Sequence, residues 1–169
     1  MVVEQCLILI KPDGLVKSLT GNIISVLSET HLKIVGAKVV SVSRELAEKH
    51  YEELKTKKPH VFEATIDYIM GKYHTNRVLA LVYSGENAIE KIRNIVGKTN
   101  PEEADAISIR GKYGRINSKT GVFENVIHAS DSSKRAEEEI KLWFNPSELV
   151  EVIYPIKKIT QQTEILIWK

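Results

Sequence analysis

The sequence predicts an α+β sandwich of the ferredoxin-like type, with helices packed on a mostly antiparallel sheet. Three observations lead there. Short runs rich in Val, Ile and Leu alternate with segments whose apolar residues recur at helical spacing, in the order strand–helix–strand–helices–strand–helix–strand. No Pro/Gly/Ser-rich linker and no internal repeat divides the chain. Its 169 residues, 43% hydrophobic and 27% charged, suit one compact domain that needs neither disulfides nor metal to bury a core.

Taken in order, Gln5–Ile10 (QCLILI) is an apolar run stopped by Lys11-Pro12-Asp13-Gly14, a buried strand ending in a turn. Asn22–Leu32 places Ile23, Ile24, Leu27 and His31 or Leu32 at helical spacing, and Leu32–Val42 is a second strand. Ser43 is expected to cap an amphipathic helix over Arg44–Lys55, which carries Leu46, Ala47, His50, Tyr51 and Leu54. Val61–Tyr68 reads as a further short helix and Arg77–Tyr83 (RVLALVY) as the third strand. Gly85-Glu86-Asn87 opens a helix over Ala88–Val96 that Gly97 stops. Val126-Ile127 forms a short strand, and Asp131 or Ser132 caps a helix. That helix, Lys134–Phe144, sets Ala136, Ile140, Trp143 and Phe144 on one stripe. The domain is read as residues 1–150, with 151–169 as an appended tail.

Composition excludes several classes of function. No apolar run approaches the ~18 residues of a membrane span, and no basic region followed by an apolar stretch opens the chain. Neither a membrane partner nor a signal peptide is therefore expected. Cys6 is the sole cysteine, which rules out an internal disulfide and fits a reducing compartment such as the cytoplasm. With 24 Lys+Arg against 22 Asp+Glu, the net charge of +2 announces no nucleic-acid partner. Any preference for anions must come from local clusters.

Four segments are unusual for plain architecture. Lys11 stands where a core strand ends, as a solvated turn lysine or as a point charge for phosphate. Arg93 precedes Gly97-Lys98-Thr99, but no glycine lies five residues before Gly97, so this is not a P-loop. An arginine and a threonine near one helix terminus remain. Ser108–Arg115 holds Arg110, Lys112 and Arg115 among glycines, a basic loop suited either to solvent or to clamping a polyphosphate. In Asn125-Val126-Ile127-His128-Ala129-Ser130-Asp131-Ser132 a histidine closes an apolar strand, among small hydrogen-bonding neighbours that let a ligand approach its ring. His31, His50, His60 and His74 lack such a setting and are read as structural. No zinc-ligand spacing and no serine elbow is present.

In combination, Ile10-Lys11-Pro12-Asp13-Gly14, the GENAI…R…TNP segment, Ile109-Arg110-Gly111 and NVIHASDS resemble the nucleoside diphosphate kinases, from about residue 4 to about residue 150. That family passes the γ-phosphate of a nucleoside triphosphate to a diphosphate through a phosphorylated histidine. The resemblance implies that His128 is the nucleophile, that Glu139 orients its ring, and that the Ser130 hydroxyl and Tyr51 phenol lie beside it. It implies contacts from Lys11 and Asn125 to the sugar hydroxyl and phosphates, and neutralisation of the β- and γ-phosphates by Arg93, Thr99 and Arg110. Mg²⁺ would ride on the nucleotide phosphates, with no protein ligands. The implied assembly is a homo-oligomer, a hexamer or tetramer. Its tail would pack at a subunit contact, since Val152, Ile153, Ile156, Ile159 and the terminal EILIWK are too apolar for a free end.

The sequence also departs from the family. Pro59-His60-Val61-Phe62 replaces a proline followed by two phenylalanines, leaving Val61 or Phe62 as the platform for the base. The segments Gly71–Arg77 and Lys112–Glu124 are longer than usual, and Ala106-Ile107 replaces a Pro-Gly before Ser108. An RNA-binding module is the reading from another class, but QCLILI and RVLALVY are too aliphatic to stack bases. A catalytically silent relative acting as a regulator or scaffold would show loss at His128, Lys11, Arg93 or Arg110, and all four are present.

Overall fold

The computed structural model describes residues 2–160. The chain runs β1 (Val3–Ile10), α1 (Pro12–Val16), α2 (Thr20–Ser28), β2 (Lys33–Ser41), α3 (Arg44–His50), α4 (Glu52–Lys57) and α5 (Pro59–Ile69). It continues through β3 (Arg77–Glu86), α6 (Ala88–Val96), α7 (Ile109–Tyr113), β4 (Arg115–Ile116), β5 (Phe123–Glu124), β6 (Ile127–Ala129) and α8 (Ser133–Trp143).

Four strands form one sheet in the order β2-β3-β1-β6, and every ladder in it is antiparallel. This is the ferredoxin-like arrangement. β1 is an inner strand with α6 and α8 packed on it, so Cys6–Ile10 are wholly buried and read as one unbroken apolar run rather than an alternation. The helices complete the core with Ile23 and Leu27, Ile92 and Val96, and Ala136, Ile140 and Trp143. β4 and β5 form a separate small hairpin.

Local chemistry redraws several of the expected elements. The turn after β1 is a one-turn helix, α1, with Pro12 in its first turn, where a missing N–H costs nothing. The helix expected over Arg44–Lys55 is two helices. Ser43 caps α3 through Leu46 N, and the break falls at Tyr51, whose φ of −103° and ψ of 21° leave the helical region. The basic loop Ser108–Arg115 is mostly the helix α7, capped by the Ser108 side chain. Ladder pairing in β6 covers Ile127–Ala129 instead of Val126-Ile127, because Val126 has φ 58° and leaves the extended region. His128 is thus the middle residue of its strand, opposite Leu9. Ser132, not Asp131, caps α8.

After α8, residues 151–160 form no helix or strand. Ile153 and Tyr154 pack against the core, while Val152 and Ile159 are each 74% exposed. The terminal EILIWK lies outside the described residues. No helix among those described is long and apolar enough to cross a membrane.

Candidate active site

The site forms where β1 ends beside the start of β6. Lys11, the residue after β1, is buried and donates from Nζ to Asn125 Oδ1 at 2.8 Å, while Asn125 Nδ2 donates to the Thr99 carbonyl at 2.7 Å. Burial, reinforced by the Arg110 charge and opposed by Asp13, pulls the Lys11 ammonium from 10.5 down to about 7. An arriving phosphate would restore its charge. Val126 is a β-branched residue in the left-handed region, a conformation that costs about 1–3 kcal/mol unless its surroundings impose it. They do. Ile127 N donates to Asn125 O at 2.7 Å, closing a γ-turn, and Lys11 N donates to Val126 O at 2.9 Å. Val126 N donates to the wholly buried Asp13 carboxylate at 3.2 Å, whose other oxygen accepts from Tyr68 Oη at 2.6 Å. The kink turns Asn125 toward Lys11 and delivers His128 to the end of the sheet. Asp13 lies in the Lys11-Pro12-Asp13-Gly14 turn, and no local sequence signal marks this role.

His128 Nε2 lies 3.0 Å from Glu139 Oε2. A carboxylate only accepts, so Nε2 carries a proton, and in the neutral ring the lone pair is on Nδ1. Ser130 is fully buried, accepts from Leu7 N at 3.1 Å and donates to Glu139 Oε2 at 2.6 Å. It therefore reaches the histidine through Glu139 and fixes that carboxylate against β1, rather than facing the cleft. Burial would raise the Glu139 pKa, but the adjacent His128, its hydrogen bond and that of Ser130 outweigh burial and bring it from 4.5 to about 2. Because this folded-state value is depressed, Glu139's contribution to stability is complete above about pH 4.5 and is lost as pH falls toward about 2. Glu139→Gln is expected to flatten the acid limb of thermal stability in that window, and superimposable limbs for the two proteins would contradict it.

His50, read as structural from the sequence, packs edge-on against His128 with ring centroids 4.5 Å apart. Tyr51 and Trp143 also pack edge-on against His50, at 4.7 and 5.5 Å. Its place on the buried face of α3 puts it there, and no local sequence signal marks it. Trp143 Nε1 donates to His50 Nδ1 at 3.2 Å, so the neutral His50 ring carries its proton on Nε2. Burial, and then His128 beside it, holds His50 well below the usual 6.5. Ligand atoms of His50, His128 and Glu139 lie within 4.8 Å of one another, yet the proton on His50 Nε2 and the bonds already made to Glu139 leave no metal cage there. Burial, followed by Glu139, raises the Tyr51 phenol above its ordinary range and keeps it protonated.

Arg110 on α7 is buried and donates to the Ile127 carbonyl and, from Nη1, to the Gly97 carbonyl at 3.0 Å. Burial and the nearby Arg93 bring its pKa down to about 10. Gly97 holds φ 84° at the end of α6, where a Cβ would come within 2.3 Å of Ser108 Oγ, so the turn that sets Arg93 and Thr99 near Arg110 needs glycine. Lys11, Tyr51, Arg93, Thr99, Arg110, Asn125, His128 and Glu139 all line one cleft.

A more apolar slot of about 320 Å³ adjoins this cleft, lined by Leu54 and Val61 from the α4–α5 segment and by Gly121, Val122 and Phe123 from the hairpin, with Lys11 and Asn125 also on its surface. Phe62 is not on it. The α5 helix turns Phe62 into the core at 5% exposure, which leaves Val61 and the exposed His60 facing the slot.

Comparison with known proteins follows the same outline. The family model described as nucleoside diphosphate kinase matches residues 4–149. The nucleoside diphosphate kinase of Pyrococcus furiosus is 47% identical over 149 residues, 88% of each chain. That of Staphylococcus carnosus is 44% identical over 146 residues, 86% of this chain and 90% of its own. A solved nucleoside-diphosphate kinase from Borrelia burgdorferi, a transition-state mimic with bound vanadate and ADP, superposes with a TM-score of 0.81 at 31% identity, covering 89% of this chain and 92% of that one.

Proposed function

The chain belongs to the nucleoside diphosphate kinase family, and from that premise we propose that it transfers the γ-phosphate of a nucleoside triphosphate to a nucleoside diphosphate by a ping-pong route through phosphorylated His128. Nucleotide phosphotransfer itself comes with the family. The observation that carries the route is the His128–Glu139 hydrogen bond, which makes Nδ1 the nucleophilic nitrogen of the neutral ring in a cleft lined by Lys11, Arg93 and Arg110.

In the first half-reaction His128 Nδ1 attacks the γ-phosphorus as the bond to the bridging oxygen breaks, and the diphosphate leaves with that oxygen. In the second, a terminal oxygen of the acceptor diphosphate attacks the same phosphorus and the Nδ1–P bond breaks. Glu139 stabilises the positive charge that builds on the ring during transfer, while Ser130 holds Glu139. Lys11, Arg93, Arg110 and Thr99 oppose the phosphate charge. Such a loose transfer needs positioning and charge more than covalent chemistry. Asn125 holds Lys11 and faces the sugar and phosphates, with Tyr51 packed beside the histidines.

The family uses a divalent cation, and here Mg²⁺ is the proposed one. Lys11, Arg93, Arg110 and Arg135 outnumber the cleft's three carboxylates, Glu53, Asp131 and a Glu139 already committed to His128 and Ser130, so the residues fit a cation carried in by the nucleotide's own phosphates. When bound, it neutralises charge on the β- and γ-oxygens. The buried Cys6 thiol supports a reducing, cytoplasmic setting, and the exposed Val152, Ile156 and Ile159 support a homo-oligomer, hexamer or tetramer, in which the tail meets a neighbouring subunit.

With Val61 as its apolar platform, the slot offers a face to any base, and discrimination by such contact is worth only ~1–3 kcal/mol. Initial rates with donor and acceptor both varied should give parallel double-reciprocal lines for ADP, GDP, CDP and UDP, with kcat/KM within about two orders of magnitude. Intersecting lines would contradict the ping-pong route, and strict use of one diphosphate would contradict the apolar platform.

A further inference from the structure

Two segments expected from the sequence to be longer than in the family, Gly71–Arg77 and Lys112–Glu124, meet in the fold. The first closes tightly on itself: Gly71 has φ 84°, and a Cβ there would fall 1.9 Å from Thr75 O. His74 N donates to Gly71 O at 3.1 Å, which points the histidine out of the loop toward the β4–β5 hairpin. There His74 Nε2 lies 3.1 Å from Glu124 Oε1. Glu124 is 1% exposed, and its carboxylate also accepts from Asn117 Nδ2 at 2.8 Å and Arg115 Nε at 2.7 Å. Asn117 in turn organises the hairpin's tip, since its backbone N donates to Val122 O and its carbonyl accepts from Gly121 N. Of the three groups on the carboxylate, Asn117 and Arg115 belong to the hairpin itself, and His74 comes from outside it. Glu124 also immediately precedes Asn125, which holds Lys11.

The hairpin's returning arm, Gly121, Val122 and Phe123, supplies part of the slot proposed for the nucleoside. We propose that His74 is a positioning residue for the nucleoside. Its bond to Glu124 joins the two segments into one unit and so sets where the hairpin wall stands relative to Val61. On this inference, which rests on the proposed nucleotide site, His74 governs nucleoside binding and has no part in the transfer of phosphate from or to His128.

His74→Phe tests it, because the variant keeps an aromatic ring against Tyr68, whose ring centroid lies 6.2 Å from that of His74, and removes the N–H donor. Loss of one charge-assisted hydrogen bond is expected to raise KM for ADP roughly tenfold. kcat and the affinity for magnesium tripolyphosphate, which has no nucleoside, should stay unchanged, and His74→Gln, which returns a donor, should restore KM. An unchanged KM in His74→Phe would overturn the proposal. So would a loss shared by kcat and tripolyphosphate binding, which would mark His74 as merely structural. Should His74→Phe not fold, His74→Leu removes the same donor without touching the bonds of Glu124 to Arg115 and Asn117 and is read the same way. If the parent protein transfers no phosphate, the phosphotransfer reading fails instead, and calorimetric binding of ADP against tripolyphosphate still decides the role of His74.

Discussion

His128→Ala is expected to abolish phosphate transfer while leaving the protein folded. Loss of a nucleophile for which the cleft offers no substitute removes roughly four or more orders of magnitude in kcat. His50 is the nearest other imidazole, but its Nδ1 lone pair accepts from Trp143 and its Nε2 carries the proton, so it cannot take over. The fold should tolerate the change. The side chain of His128 is 19% exposed, its strand pairing with Leu9 is made by the backbone, and Glu139 keeps Ser130 and the nearby Arg135 guanidinium. Steady-state assays together with thermal unfolding separate the two effects. Activity above a few per cent of the parent's in a folded variant would mean that the phosphate does not travel through this residue.

Arg110→Ala should show the second-largest effect. Arg110 presents five N–H groups, of which three are held by the Ile127 and Gly97 carbonyls, leaving two for phosphate oxygens. Removing one such preorganised donor typically lowers kcat by ~10²–10³-fold. The variant should also lose about 1–3 kcal/mol of stability, because those carbonyls are left without their partner. This double role explains why so polar a side chain is buried. Rates measured well below the unfolding midpoint isolate the catalytic part. A loss below tenfold in folded protein would place Arg110 outside the site.

Most of the fold is legible in the sequence because its signals are local and strong. QCLILI and RVLALVY could only be buried strands, and Gly97 and the serine caps mark helix ends that the chain uses. The misplaced boundaries have separate causes, local in α1 and α7, where Pro12 and the Ser108 cap start a helix, and tertiary at Val126. The Arg44–Lys55 helix breaks at Tyr51, and Val126 is driven out of its strand by bonds to Lys11 and Asp13, far away in sequence. The site shows the same division. Lys11, Arg93, Arg110 and His128 are legible as charged or polar groups in segments unusual for plain architecture, and the resemblance adds Asn125 and ties them together. His50 and Asp13 did not stand out, because their importance depends on what surrounds them after folding, an imidazole and an indole in one case and a strained γ-turn in the other. Choosing between Val61 and Phe62 likewise required knowing which face of α5 meets the core. His74 and Glu124 are 50 residues apart, and nothing in either segment announces the other.

The central claim is that a phosphate rests on His128 between the two half-reactions. Brief incubation with γ-labelled ATP, followed by acid and alkali treatment and peptide mapping, tests it most directly. The expected label is lost in acid, survives alkali and maps to the peptide containing His128. Label that survives acid, label on another residue, or no label in protein that transfers phosphate would contradict it.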